Sequence, residues 1–262
     1  VYLISQLKAC SSDATIPQNF IGKPMTLKQF STAGLVVALT LSITPLLHAA
    51  TEAPSWYSTI SAGVLISPRD SKSKVQLGKA PAAITLDGDM LFDGGQTLAV
   101  AIGRQGHTDQ DDPNEEPTHW RMEVEYWQGR IERSSFDVGA LNASLNDSVR
   151  ARALFGNALL RVWVTEKNRV WLGAGIGYAK VHMPSYPSPS SCACLNSADG
   201  DGFAAQVKLI GEHLLSERTA LFLQLGYIQV PSSDTSSVIS GSNTRHDEMR
   251  SGNLAVGLRF RF

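Results

Sequence analysis

The sequence predicts an all-β chain folded as an eight-stranded antiparallel up-and-down transmembrane β-barrel. Three observations carry that prediction. Beyond Ala50 the chain alternates apolar with polar or small residues, with a period of two, over about 8 to 12 residues at a time. Eight such segments occur, an even number, separated by stretches rich in Ser, Gly, Asp, Asn and Pro. Apart from one stretch near the N-terminus, no apolar run approaches the roughly 20 residues of a membrane helix, so a bilayer would be crossed with strands.

The segments follow in order. In Trp56 to Ile66, the residues Ile60, Ala62, Val64 and Ile66 share one face, opposite Thr59, Ser61 and Gly63. Gln96 to Gln105 sets Leu98, Val100 and Ile102 against Thr97, Ala99, Ala101 and Gly103. His119 to Gly129 is the clearest, with Trp120, Met122, Val124 and Tyr126 alternating with Arg121, Glu123 and Glu125. Those charges belong neither in a soluble core nor against lipid, which leaves a polar lumen. Val149 to Val164 and Arg169 to Met183 follow, joined by a short turn at Glu166 to Asn168. Phe203 to Leu215 opposes Phe203, Ala205, Val207 and Leu209 to Gln206, Lys208 and Glu212. Thr219 to Val230 carries Leu221, Leu223, Leu225 and Tyr227 on one face, with Gln224 and Gly226 on the other. The last segment repeats Leu254, Val256, Leu258, Phe260 and Phe262 against Ala255, Gly257, Arg259 and Arg261.

An open sheet edge in hydrocarbon would leave backbone groups unpaired at several kcal/mol each, so the eight strands must close on themselves. The connections Ser67 to Gly95, Arg130 to Ser148, Pro184 to Gly202 and Pro231 to Ser251 are long and are expected as extracellular loops. Two of the other three are tight, which puts both termini in the periplasm. Gly106 to Thr118 is long for a periplasmic turn.

The chain divides into three parts. Met25 to Ala50 reads as a signal peptide, with Lys28 before an apolar core from Ala33 to Leu47 and small residues at a cleavage site after Ala49 or Ala50. Residues 51–262 read as the barrel, and residues 1–24 as a leader of doubtful translation. A net charge of -1 gives no electrostatic case for nucleic acid. Cys10 lies in the leader, and Cys192 and Cys194 are too close in sequence for an unstrained bridge, so free or loosely paired loop thiols are expected.

The inward set Arg121, Glu123, Glu125, Arg161, Lys208, Glu212, Arg259 and Arg261 contains both signs in a lumen only just wide enough for its own side chains. It is expected to form a pairing network. Gly173, Gly175 and Gly177 sit on one strand face, not in a turn opening a helix, so they are expected to make room for side chains from the opposite wall instead of binding phosphate. Asp109, Asp111, Asp112, Glu115 and Glu116 lack the glycine and terminal glutamate of a calcium loop and read as a solvated acidic run. Trp56, Trp120, Trp163 and Trp171 fall near periplasmic strand ends, where an aromatic girdle belongs, although strict alternation turns Trp163 and Trp171 inward.

With RMEVEY at Arg121 to Tyr126, the strand through Asn157 that leads by TEKN into WLGAGIGY, then GFAAQVKLIGEH, LFLQLGY and the terminal LAVGLRFRF, the chain resembles the outer-membrane β-barrel superfamily. Its members include the transmembrane domain of outer-membrane protein A, the opacity proteins and related surface antigens. The resemblance implies a barrel in the cell outer membrane, exported through the periplasm, presenting variable loops outside the cell. It also implies that the terminal stripe Leu258, Phe260 and Phe262 is read by the barrel-assembly machinery. Two departures from the family are expected, the long acidic turn and the lack of the periplasmic peptidoglycan-binding domain that some relatives carry.

The function expected is therefore non-enzymatic: a porin-like surface antigen with a structural or surface-interaction role, in contact with outer-membrane lipid and lipopolysaccharide and open to an external ligand through its loops. No catalytic residues, metal or cofactor are expected. The alternative is a lipopolysaccharide-modifying barrel enzyme such as a lipid A deacylase, which needs a nucleophile and base projecting together, yet no His is followed two residues later by Ser or Thr. A small-solute channel is disfavoured by the inward Arg, Glu and Gln side chains.

Overall fold

The computed structural model describes residues 55–66, 71–77, 84–108, 118–138, 141–185, 197–236, 243–246 and 248–262. The leader, the signal peptide, Cys10, Cys192, Cys194 and the acidic run from Asp109 to Glu116 lie outside the described residues. Every regular element among the described residues is a strand: β1 (Ser55–Ile66), β2 (Ser71–Leu77), β3 (Ile84–Thr108), β4 (Thr118–Val138), β5 (Leu141–Val164), β6 (Asn168–Met183), β7 (Ala198–Leu214), β8 (Thr219–Val230), β9 (Ser233–Ser236), β10 (Asn243–His246) and β11 (Met249–Arg261).

Eight of these, β1, β3 to β8 and β11, form the antiparallel barrel. The ring is sealed by β1, which pairs with β11 on one side, Ile60 opposite Leu258, and with β3 on the other, Ile60 opposite Val100. The start of β1 meets the end of β11, where Phe262 N donates to Trp56 O at 3.0 Å. The two short turns at that end are tight. Thr165 N donates to Asn168 O at 2.7 Å, and Ser216 Oγ accepts from the backbone N of Arg218 and of Thr219.

At the opposite end the structure departs from the expected long loops. Arg130 to Ser148 is not a loop: β4 runs on to Val138 and β5 starts at Leu141, paired through Val138 opposite Leu141. The other long connections also hold sheet. Above the level where β1, β11 and β8 end, β2 pairs with β3, β10 with β2, β9 with β10, and β9 reaches β7 at Asp234 opposite Asp199. Thus β2, β10 and β9 take over the places of β1, β11 and β8, and the ladder goes round again. The handover on β3 needs a break in register, and bulges at Leu91, Phe92 and Gly94 supply it, with Gly94 at a φ of 103° that favours glycine.

The side-chain pattern follows the surroundings of each level. In the lower barrel the outward positions are apolar, running from Val170 to Tyr178 on β6, which matches the roughly 9 to 11 residues of a tilted membrane strand. Higher up the phase inverts. On β5, Val149, Ala151, Ala153 and Phe155 are buried inward while Arg150 and Arg152 point out, and Leu65, Met90, Trp127 and Val181 join them in an apolar plug. A barrel in water needs an apolar interior; a barrel in lipid needs an apolar exterior.

Packing across the wall is tightest at the three glycines of β6. Gly173, Gly175 and Gly177 lie opposite Leu159, Asn157 and Phe155 of the adjacent β5, and a Cβ at each would collide with that partner's side chain. The small residues therefore make room for the neighbouring strand, where the opposite wall was expected. Gly211, by contrast, has nothing within 4 Å of an added Cβ. Gly175→Ala should destabilise the barrel by about 1 to 3 kcal/mol, and Gly211→Ala should leave it within about 0.5 kcal/mol of the parent. Urea unfolding in lipid vesicles measures both, and equal midpoints for the two variants would contradict this packing.

Candidate functional site

The lower lumen holds two layers of paired charge. All eight residues of the expected inward set lie at lumen-facing register positions. Six of them, Arg121, Glu123, Glu125, Lys208, Glu212 and Arg259, are buried there. Arg161 and Arg261 are half-buried at the lower mouth.

The lower layer centres on Glu212. Its carboxylate accepts a forked pair from Arg121, Nη1 to Oε1 at 2.5 Å and Nη2 to Oε2 at 2.9 Å, together with Arg259 Nε at 3.1 Å and the Trp171 indole N–H at 3.1 Å. The Arg121 guanidinium lies 3.6 Å from the Trp171 ring centroid and 5.2 Å from that of Tyr57. Stacking and a bidentate fork hold the guanidinium plane on two sides.

The upper layer centres on Lys208. Its Nζ sits 3.0 Å from Glu123 Oε1 and also bonds Glu125. Tyr57 Oη donates to Glu123 Oε2 at 2.9 Å; Asn157 Nδ2 donates to Glu123 at 3.0 Å and Glu125 at 3.2 Å; Gln206 Nε2 donates to Asn157 Oδ1 at 2.8 Å. Three cations thus meet three carboxylates, and the amides and the phenol fill the remaining acceptor positions. Burying charge without such pairing would cost several kcal/mol per ion.

Between the layers lies a cavity of about 10 Å³ lined by Tyr57, Glu123, Lys208, Glu212, Phe222 and Gln224, room for about one water. Above them Thr97 Oγ1 donates to Asn253 Oδ1 at 3.2 Å, and then the apolar plug closes the bore. At the plug's upper rim Arg133 pairs with Asp147 and donates to Pro184 O at 3.1 Å. Among the described residues no group of three His, Cys, Asp or Glu side chains is placed to hold a metal ion.

Sequence reasoning missed several of these members. Tyr57 has the right alternation phase, one residue out of step with Trp56 and Ser58, but a phenol gives no charge signal. Trp171 points inward as its phase predicts and is 2% exposed, yet its role as a donor to Glu212 needs the neighbouring strand to be known. Trp163 corrects the expectation of an inward ring. A bulge between Arg161 and Trp163 slips the phase by one, so Trp163 pairs with Val170 and stands outward at 52% exposure. Trp56, Trp120 and Trp163 consequently share the outer face near the lower rim, where Leu258 and Phe260 of β11 also face outward and Phe262, just past its end, is exposed.

OprG from Pseudomonas aeruginosa superposes with a TM-score of 0.54 at 14% identity, covering 81% of this chain and 98% of that one. The chain has the outer-membrane β-barrel fold. Neisserial surface protein A matches at a TM-score of 0.44 and 12% identity over 80% of this chain and 100% of its own. The outer membrane protease OmpT from Escherichia coli matches at 0.40 and 10% over 82% and 99%. No known protein-family profile and no curated protein sequence matches the chain.

Glu212 serves two arginines, whereas Glu123 shares its lysine with Glu125. Glu212→Leu should therefore destabilise the barrel by about 3 to 5 kcal/mol, the cost of a broken buried pair, and Glu123→Leu by less. Urea unfolding in vesicles gives the ranking, and the reverse order would show that the lower layer is hydrated and loosely held.

Proposed function

We propose that the protein is a non-enzymatic integral protein of the cell outer membrane, exported through the periplasm, whose barrel anchors loops facing the surroundings and serves a structural or surface-interaction role. The observation that carries this reading is the filled lumen. A network of paired charges and an apolar plug occupy the bore, so the interior stabilises the wall and leaves little space for a solute path or for a bound substrate. Function then falls to the outer surface and the loops. The belt of outward Leu, Val and Ile side chains supports contact with outer-membrane lipid and lipopolysaccharide as the immediate surroundings.

Two measurements test this reading. The folded protein should migrate differently on an SDS gel when unheated than when boiled, because the sealed ring offers no edge from which to unzip. A cysteine placed at exposed Asp199, near the upper end of β7, should react with a membrane-impermeant thiol reagent on intact cells, in a background with Cys192 and Cys194 replaced. Identical gel mobility, or labelling only after the outer membrane is broken, would overturn the reading.

The outward terminal stripe bears on biogenesis. We propose that Leu258, Phe260 and Phe262 engage the barrel-assembly machinery. Phe262 is half exposed at the lower rim, so its burial contributes less than the roughly 1.5 to 3 kcal/mol of a fully buried large side chain. Deleting Phe262 should impair assembly in cells more than refolding of purified protein into detergent; equal surface labelling of deletion and parent cells would count against it.

A further inference from the structure

The outward side chains of β4 to β7 stand in ordered rows. Tyr126, Leu154, Tyr178 and Phe203 face one another across the register and form the top of the apolar belt. The next row up reads Gln128, Arg152, Lys180, Asp201, and the one above it Arg130, Arg150, His182, Asp199. Arg152 is thus directly opposite Lys180, and Arg130 directly opposite Arg150. Opposed side chains in an antiparallel pair have Cβ atoms about 4.5 to 5.5 Å apart, and like charges so placed destabilise the sheet.

Both carboxylates in these two rows have another partner. His182 Nδ1 lies 2.6 Å from Asp199 Oδ1, and the Tyr178 hydroxyl donates to Asp201. Arg130 Nε donates to Ser148 Oγ at 2.9 Å. Among the described residues, Arg150, Arg152 and Lys180 have no carboxylate within ion-pairing distance. Four exposed cations on three adjacent strands, two pairs of them set against each other, therefore stand where the apolar belt ends.

Resting on the membrane-spanning reading above, we propose that this patch docks the phosphorylated sugar headgroup of an outer-leaflet glycolipid. Guanidinium forks match phosphate oxygens two at a time, and a polyanion seated between Arg152, Lys180, Arg150 and Arg130 turns the repulsion between the pairs into shared attraction. Position selects a lipid over a soluble anion. Acyl chains lying on Leu154, Tyr178 and Phe203 end at the first cationic row, which places the phosphate of a chain-bearing headgroup at Arg152 and Lys180. A free polyanion would gain nothing from the aromatic row beneath.

The test uses the refolded protein in a zwitterionic detergent, with bound lipid counted by native mass spectrometry. Diphosphorylated lipid A should bind the parent at least about tenfold more tightly than the Arg152→Gln, Lys180→Gln double variant, as expected for lost charge-assisted hydrogen bonds. Lipid A stripped of phosphate should bind both proteins as weakly as the variant binds the intact lipid. In phosphatidylcholine vesicles without lipid A, the double variant should resist urea as well as or better than the parent, since an opposed pair of cations is gone. Equal retention of lipid A by parent and variant overturns the site, as does undiminished binding of the dephosphorylated lipid. Binding of a soluble glucosamine disaccharide bisphosphate as tight as that of lipid A would reassign the patch to free anions and overturn the lipid. If parent and variant both show the unheated-versus-boiled mobility shift yet hold lipid A equally, the site alone fails; if neither shifts, the barrel reading fails and takes the site with it.

Discussion

The closed backbone ladder is the constraint on which the rest of the structure depends. Because β1 pairs with both β11 and β3, every side chain is committed to one of two surfaces, and the bore of eight strands is too narrow to hold solvent in bulk. Charges placed inside must then find one another. Arg121 reaches across to Glu212 and Lys208 to Glu123 and Glu125, each pair drawn from strands that do not touch in the wall, so the network ties opposite sides of the barrel together. The glycines of β6 belong to the same constraint. With Phe155, Asn157 and Leu159 filling the inward space beside them, no second row of Cβ atoms fits.

Closure also explains why the strands outrun the apolar belt. If β3 to β7 ended as unpaired backbone above the level of β1, β8 and β11, their outer edges would be free to pair with other chains. β2, β9 and β10 cover them by continuing the ring. Once the wall stands in water, the solvent argument reverses: Val149, Ala151 and Val181 turn in and Arg150, Arg152 and Lys180 turn out on strands that, a few residues lower, carried Asn157 inside and Leu160 outside. The inversion falls between Tyr126 and Gln128 on β4 and between Tyr178 and Lys180 on β6, rows that neighbour one another in register. A boundary that appears at the same height on successive strands belongs to the surroundings, not to any one strand.

The barrel was legible in the sequence because period-two alternation survives wherever one solvent lies outside and another environment inside. Its strand count, its tight turns and the inward phase of Arg121, Glu123, Glu125, Lys208, Glu212 and Arg259 all rest on that signal. The extension was not legible because Arg130 to Ser148 alternates in the opposite phase, with many polar residues, and polar composition reads as loop. Trp163 escaped for another reason: a single bulge at Arg161 shifts the phase by one residue, and nothing in RVWV announces it. The partners of Glu212 were hidden because they come from β4, β6 and β11, and alternation says which face a residue takes but not whom it meets across the bore. Tyr57, Asn157 and Gln206 were passed over since neutral polar side chains carry no sign to be balanced.

The two sets of charge in this molecule differ in what closes them. Inside, the three buried carboxylates each meet a buried cation, with Tyr57, Asn157, Gln206 and Trp171 donating to the carboxylate oxygens and to one another, so the buried layers are paired within the wall. Outside, Arg152 faces Lys180 and Arg130 faces Arg150 with the adjacent carboxylates held by His182 and Tyr178. Solvent screening makes such repulsion tolerable on an exposed sheet, but it gives no reason to place four cations there when Thr or Gln would serve the strand better. The internal set is therefore accounted for by the stability of the barrel alone. The external set is not closed within the wall, since Asp199 and Asp201 in the same rows already have other partners, and its height, one row above Tyr126 and Tyr178, sets it where the proposed headgroups would supply negative charge.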